Sequence, residues 1–153
     1  MGETQARGQN LLTLRIIWGS LLMSIAIYGV VAAVVAKTMT ATVAGGAANP
    51  IVLVLGVAAL VMAVMAIFVP RAAMRRGGER APIAPPDPSA PPSVPPNVFT
   101  ALIIRWAMLE AVAILGLVAA LIIADPRAFI PLGAVAIAGM LLSYPGDSVA
   151  ARA

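Results

Sequence analysis

Four long runs of apolar residues, almost uninterrupted by charge, constrain this chain more than any other feature. They cover residues 12–36 (LTLRIIWGSLLMSIAIYGVVAAVVA), 51–70 (IVLVLGVAALVMAVMAIFVP), 98–124 (VFTALIIRWAMLEAVAILGLVAALIIA) and 128–144 (AFIPLGAVAIAGMLLSY). A helix needs about 20 apolar residues to cross about 30 Å of hydrocarbon. The first three runs meet that length. The fourth is shorter and carries Pro131 in its first turn, where proline is tolerated. In lipid every backbone polar group must find its partner inside the protein, so only helices and closed barrels cross. A barrel strand alternates polar and apolar residues over about ten positions, and these runs are apolar on every face. The expected fold is therefore an all-α membrane protein. Its four transmembrane helices form two hairpins, 12–70 and 98–144, joined by a proline-rich linker over 71–97, in a single membrane domain spanning 1–153.

Composition supports lipid as the solvent. Hydrophobic residues make up 61% of the chain and charged residues 10%, whereas a soluble domain is nearer half apolar and a quarter charged. Cysteine and histidine are absent. Disulfides, thiolate metal sites, Cys or His nucleophiles and His proton relays are excluded with them. The net charge of +4 is not a nucleic-acid footprint. The basic residues sit beside apolar runs, with no aromatic residues interleaved to stack on bases. Nine of the ten basic residues are Arg, which together with the abundant Ala is in keeping with a GC-rich bacterial genome.

The loops set the expected orientation. Arg7, Arg15, Arg71, Arg75, Arg76, Arg80 and Arg152 fall on one side of the four spans, and only Lys37 and Arg127 on the other. By the positive-inside rule both termini and the linker are cytoplasmic, in a bacterial inner membrane. Trp18, Trp106 and Tyr144 lie toward the cytoplasmic ends, where amphipathic rings favour the interface, and Arg105 snorkels beside them. These residues are the expected interfacial anchors. The apolar stretch at 16–36 exceeds the roughly 7 to 15 residues of a signal-peptide core, so it is read as a span. The linker sequence APIAPPDPSAPPSVPPN should be extended polyproline II. Its PxxP spacings are a spacer first, and a ligand for an SH3-like domain second.

One residue breaks the apolar pattern. Glu110 lies eleven residues beyond Phe99, about 16 Å along a helix and so near the bilayer midplane. A charge there costs at least about 2.5 kcal/mol, and protonation removes most of that cost. Ala107 and Ala113 flank it at helical spacing and permit close approach of another helix. Arg105 stands about 140° round the same helix and is poorly placed to pair with it. By depth, Glu110 is level with residues 23–27 of the first run. Ser24 is then the expected neighbour, with Ser20 and Tyr28 one turn to either side on a single stripe. Two readings follow. Glu110, Ser24, Tyr28 and Ser20 form a proton- or ion-binding group, or a protonated Glu110 simply pins two helices. Interhelical polar bonds contribute about 0.6 to 2 kcal/mol. Gly29-xxx-Ala33 and Gly116-xxx-Ala120 are expected packing seams.

Residues 107–120, AMLEAVAILGLVAA, resemble the carboxylate helix of ATP synthase subunit c, the proteolipid. Ala107, Glu110, Ala111, Ala113, Ile114, Gly116, Leu117, Val118 and Ala120 match that helix as they stand. The resemblance implies proton or sodium binding at Glu110. The chain departs from the proteolipid in three respects. The preceding run has only Gly56 in place of a repeated glycine pattern, a proline-rich linker replaces the short polar loop, and two further spans flank the pair. Small multidrug exporters also combine four helices with one buried Glu, but place it in their first helix. The overall layout is similar to that of small four-helix inner-membrane proteins of Gram-negative bacteria, a likeness that implies no activity.

No catalytic constellation is visible. Asp125 and Asp147 stand beside prolines or glycines and read as turn residues. No metal or cofactor is expected, and the partners expected are the bilayer and homo- or hetero-oligomeric membrane subunits. The expected role is a non-enzymatic accessory or assembly subunit of a membrane complex. The alternative is a proton- or ion-carrying, proteolipid-like subunit that uses Glu110.

Overall fold

The structure is a computed structural model that describes residues 3–38, 50–78 and 96–145. Residues 39–49 and the proline-rich stretch 79–95, with its PxxP spacings, lie outside the described residues. Four α-helices account for nearly all of the remainder: α1 (Glu3–Thr38), α2 (Pro50–Gly78), α3 (Pro96–Ile123) and α4 (Phe129–Leu142). A 3-10 turn, Pro126–Ala128, leads into α4. No strand occurs among the described residues, so the all-α expectation holds. Within α1, α2 and α3, the segments Leu12–Thr38, Pro50–Ala72 and Asn97–Ile123 are long and apolar enough to cross a membrane. Pro126–Leu142 is apolar but shorter.

The second helix does not stop where the apolar run stops. It continues through Pro70 to Gly78, so Arg71, Arg75 and Arg76 belong to a helix rather than to the linker. Proline removes one backbone hydrogen bond, but the residues after it are Arg, Ala, Ala, Met, Arg and Arg, all strong helix formers. Pro70 itself is buried. Similarly, α3 opens on Pro96, in the first turn where the missing N–H has no cost.

The core is built around α3. It packs against α1 and α4 on one side and against α2 on another, while α2 meets little besides α3. Ala101, Trp106, Leu109, Val112, Ala113, Ala119 and Ala120 of α3 are buried. From α2 the buried residues are Ala59, Ala66 and Pro70, a narrow seam of small side chains. Lipid is as apolar as leucine, so helices in a bilayer associate through close packing of small residues rather than by escape from water. Many of the larger side chains of α1 and α2 face outward, among them Val30, Val34, Leu53, Val57 and Leu60, while Leu14 and Ile25 of α1 are buried.

Glycines bring the helices together around one ring. Phe129 opens α4 and lies over Gly133, where an added Cβ would come 2.5 Å from the ring Cε1. The same ring meets Gly29 of α1 and Gly116 of α3, whose Cβ positions lie 3.2 and 3.5 Å from it. Both glycines of the expected seams thus do pack on another helix. Ala120 is buried with them, but Ala33 is exposed. A second close approach sets Gly139 of α4 against Leu109, 2.7 Å from its Cδ2 at the Cβ position.

The turn from α3 to α4 is a Schellman closure. The Asp125 N–H donates to the Ala120 carbonyl at 3.1 Å, and the Ala124 N–H to Leu121 at 3.3 Å. Ala124 takes φ 53° there, the left-handed position usually given to glycine. Asp125 then accepts the Arg127 N–H at 2.9 Å, the expected turn role for this aspartate.

Candidate functional site

Glu110 faces α1, and its partner there is Tyr28. The Tyr28 hydroxyl donates to Glu110 Oε1 at 3.0 Å, and both residues are half-buried. Of the hydroxyl stripe only Tyr28 bonds the carboxylate directly, while Ser24 lies within side-chain hydrogen-bonding reach of Tyr28. Ser24 Oγ donates to the Ser20 carbonyl of its own helix at 3.1 Å, and Ser20 Oγ donates to the Ile17 carbonyl at 2.9 Å.

Helix geometry explains why the expected neighbour Ser24 gives way to Tyr28. Each step of four residues advances about 40° around the helix. Tyr28, Ser24 and Ser20 therefore fan away from the α3 contact, and Ser20 is already exposed. Side chains on a helix also lean toward its N-terminus. The long tyrosine reaches back along α1 to the level of Glu110, whereas a serine at level depth is too short to reach the carboxyl itself. The result is one hydroxyl–carboxylate contact between two helices. Among the described residues no group of three or more His, Cys, Asp or Glu side chains is placed to hold a metal.

Toward the start of α1 and the end of α4, the aromatic residues converge. The Trp18 indole N–H donates to the Met140 carbonyl at 2.9 Å, and its ring meets Tyr144 edge-on with centroids 5.0 Å apart. The Trp106 indole N–H donates to Ser143 Oγ at 3.1 Å. Ser143 in turn donates to the Gly139 carbonyl at 2.7 Å. Trp106 is fully buried. An anchor ring facing headgroups would be exposed, so Trp106 works instead as a strut between α3 and α4, and Trp18 and Tyr144 hold the outer positions. Arg15 Nε donates to the Pro145 carbonyl at 3.4 Å and ties the start of α1 to the end of α4.

Arg105 is half-buried one residue before this strut. Its Nε is buried and has no hydrogen-bond partner among the described residues.

Ser143 and Phe129 are the contributors that sequence reasoning passes over. Ser143 looks like the frayed end of an apolar run. Phe129 gives itself away only through the small residues spaced after it, Gly133, Ala136 and Gly139.

No family model matches the chain, and no curated protein or solved structure matches it either. The likeness of residues 107–120 to the proteolipid helix accordingly rests on those residues alone.

Proposed function

We propose that the chain is a non-enzymatic, four-span subunit of the bacterial inner membrane, acting as an accessory or assembly partner in a membrane complex, with Glu110 pinning α1 to α3. The observation that carries this reading is the Tyr28–Glu110 bond across the two helices. The carboxyl is engaged by a neighbouring helix of its own bundle, which is the arrangement of a helix-pairing residue. Wide apolar faces on α1 and α2 remain for lipid or for partner subunits.

The four-span topology with cytoplasmic termini draws support from the two ends. The first half of α1 meets the residues that follow α4 through Arg15 and Pro145. Counting from this end gives consistent lengths. From Trp18 to Lys37 and from Ile51 to Pro70 the helix rise is about 28 Å, and from Trp106 to the end of α3 at Ile123 about 26 Å, close to the hydrocarbon thickness. On that count the Glu110 backbone lies only about 6 Å inside the belt, shallower than a count from Phe99 gives.

The same contact favours one second reading, a proton-carrying, proteolipid-like subunit, because a tyrosine hydroxyl against a carboxyl is a pair between which a proton can be shared. Dicyclohexylcarbodiimide labelling across a pH series, with proton flux in liposomes, separates the two. A pinning residue leaves Glu110→Gln without effect on flux and slows labelling relative to a Tyr28→Phe variant. Flux that disappears in Glu110→Gln would overturn the accessory reading in favour of the second.

A further inference from the structure

Glu110 uses only one of its two carboxyl oxygens. Oε1 accepts from Tyr28. Oε2 has no hydrogen bond to a described residue, and it is not sealed in, since the buried side-chain nitrogen or oxygen left unpaired among the described residues is Arg105 Nε. An open carboxyl oxygen beside hydrocarbon calls for a partner, because polar groups left unsatisfied there are costly.

Around it lies a face of α3 that the bundle leaves uncovered. Helix α4 takes the side of α3 that carries Trp106, Leu109 and Gly116. Helix α1 reaches α3 through Tyr28, and α2 packs on α3 but shares little with α1. Thr100, Ala107, Ile114 and Val118 of α3 stay exposed. The first three recur every seven residues, the period that keeps a seam on one face and lets two helices wrap round each other. Ala107, with Ala111 one turn on, keeps this seam shallow enough for another helix backbone to approach. Glu110 stands about 60° round from Ala107, at the rim between the seam and α1.

Height and chemistry together pick out the occupant. Two copies inserted in the same orientation, and related by a two-fold axis along the membrane normal, set every residue of the seam level with itself. Glu110 then stands opposite the partner's Glu110. A neutral carboxyl is donor and acceptor at once, so the pair is complementary to itself. Each Oε2–H donates to the Oε1 across the axis, which has a second lone pair beside the one that Tyr28 uses. Any other occupant would need a donor placed at this one height, whereas a second copy brings it by symmetry. We infer that the exposed seam of α3 joins two copies of this chain, packed through Thr100, Ala107 and Ile114, with the two Glu110 carboxyls paired at its rim. The inference rests on the reading of the chain as a membrane-embedded assembly subunit, and it names a partner for it.

The chain has no cysteine, so single introduced thiols report contacts without background. The test uses the full chain in liposomes at low protein density, oxidised with copper phenanthroline. Ala107→Cys should form a disulfide-linked dimer within a time in which Met23→Cys, exposed on α1 at a similar depth, forms none. Fluorescence transfer between labelled copies, diluted stepwise in lipid, then measures the affinity. Glu110→Leu should weaken the dimer about tenfold, within the range for interhelical polar bonds. Glu110→Gln, whose amide also donates and accepts, should keep it. Ala107→Phe, which leaves the Tyr28–Glu110 bond in place, should abolish it. Circular dichroism checks each fold, and should Glu110→Leu not fold, Ala107→Phe carries the comparison. Linkage at 107 no faster than at 23, or an Ala107→Phe protein that dimerises as the parent does, overturns the seam. A Glu110→Leu dimer as tight as the parent overturns the carboxyl pair. A thiol at 107 that links only to a different polypeptide in native membranes overturns the second copy as the occupant. Failure of the pinning role is read apart from these, as a Tyr28→Phe protein of unchanged stability whose 107 linkage is intact.

Discussion

Replacing Gly133 by alanine probes the packing around Phe129 directly. The new Cβ would lie 2.5 Å from Phe129 Cε1 and 2.8 Å from Cζ. Carbon atoms settle at about 3.5–4.0 Å, so the ring has to withdraw by about an ångström. Its retreat is limited on both sides, because Gly29 of α1 and Gly116 of α3 already press close to it. Overpacking of this kind costs about 1–3 kcal/mol. Alanine recovers about 0.5–1 kcal/mol through its better helix propensity. The net expectation is a loss of about 1–2 kcal/mol. Sodium dodecyl sulfate titration of the protein in mixed micelles, followed by circular dichroism and by fluorescence of Trp18 and Trp106, would measure it. Gly19→Ala and Gly56→Ala are the controls, since nothing lies within 4 Å of either Cβ position, and both should be neutral or stabilising. Combining Gly133→Ala with Phe129→Leu should cost less than the sum of the two, as contacting sites are not additive. A Gly133→Ala protein as stable as Gly19→Ala would refute the account of the ring as the meeting point of three helices.

Three further outcomes are expected in the same assay. Ala124→Gly should stabilise the chain by about 0.5–1 kcal/mol, because it relieves the left-handed conformation at the Schellman position; a loss would show that Ala124 is not strained. Tyr28→Phe should cost about 0.6–2 kcal/mol, the range for interhelical polar bonds in membranes, and should speed carbodiimide labelling of Glu110. A variant with unchanged stability and labelling would mean that the Tyr28–Glu110 bond holds nothing. Trp106→Phe should cost more, about 2–3 kcal/mol, since it removes both the bond to Ser143 and buried volume; a value below that of Tyr28→Phe would argue against its role as a strut.

The helices were legible in the sequence because lipid imposes one rule on every span, and the three long apolar runs obey it, while the fourth is apolar but shorter. Glu110 was legible for the converse reason, as a charge that violates the rule. The neighbour was predicted less well. Depth arithmetic placed Ser24 beside Glu110, but depth fixes only height along the helix. The sideways drift of an i, i+4 stripe and the reach of a tyrosine decided the contact. The helical end of α2 was hidden because proline reads as a stop, whereas the arginines after it are good helix formers. The burial of Trp106 depended on Ser143, thirty-seven positions away. That pairing follows from how α3 and α4 close on each other, which neither run announces by itself.

The central place of α3 has a consequence for the order of assembly. Helix α1 is made first, yet its contacts are with α3, α4 and the 3-10 turn, all of which leave the ribosome later. Its partners are therefore made only after α2, with which it shares little. Each of its two serines spends its hydroxyl on its own backbone. Tyr28 spends its own on Glu110 across the bundle. Glu110 lies on α3, made third, and its donor lies on the helix made first.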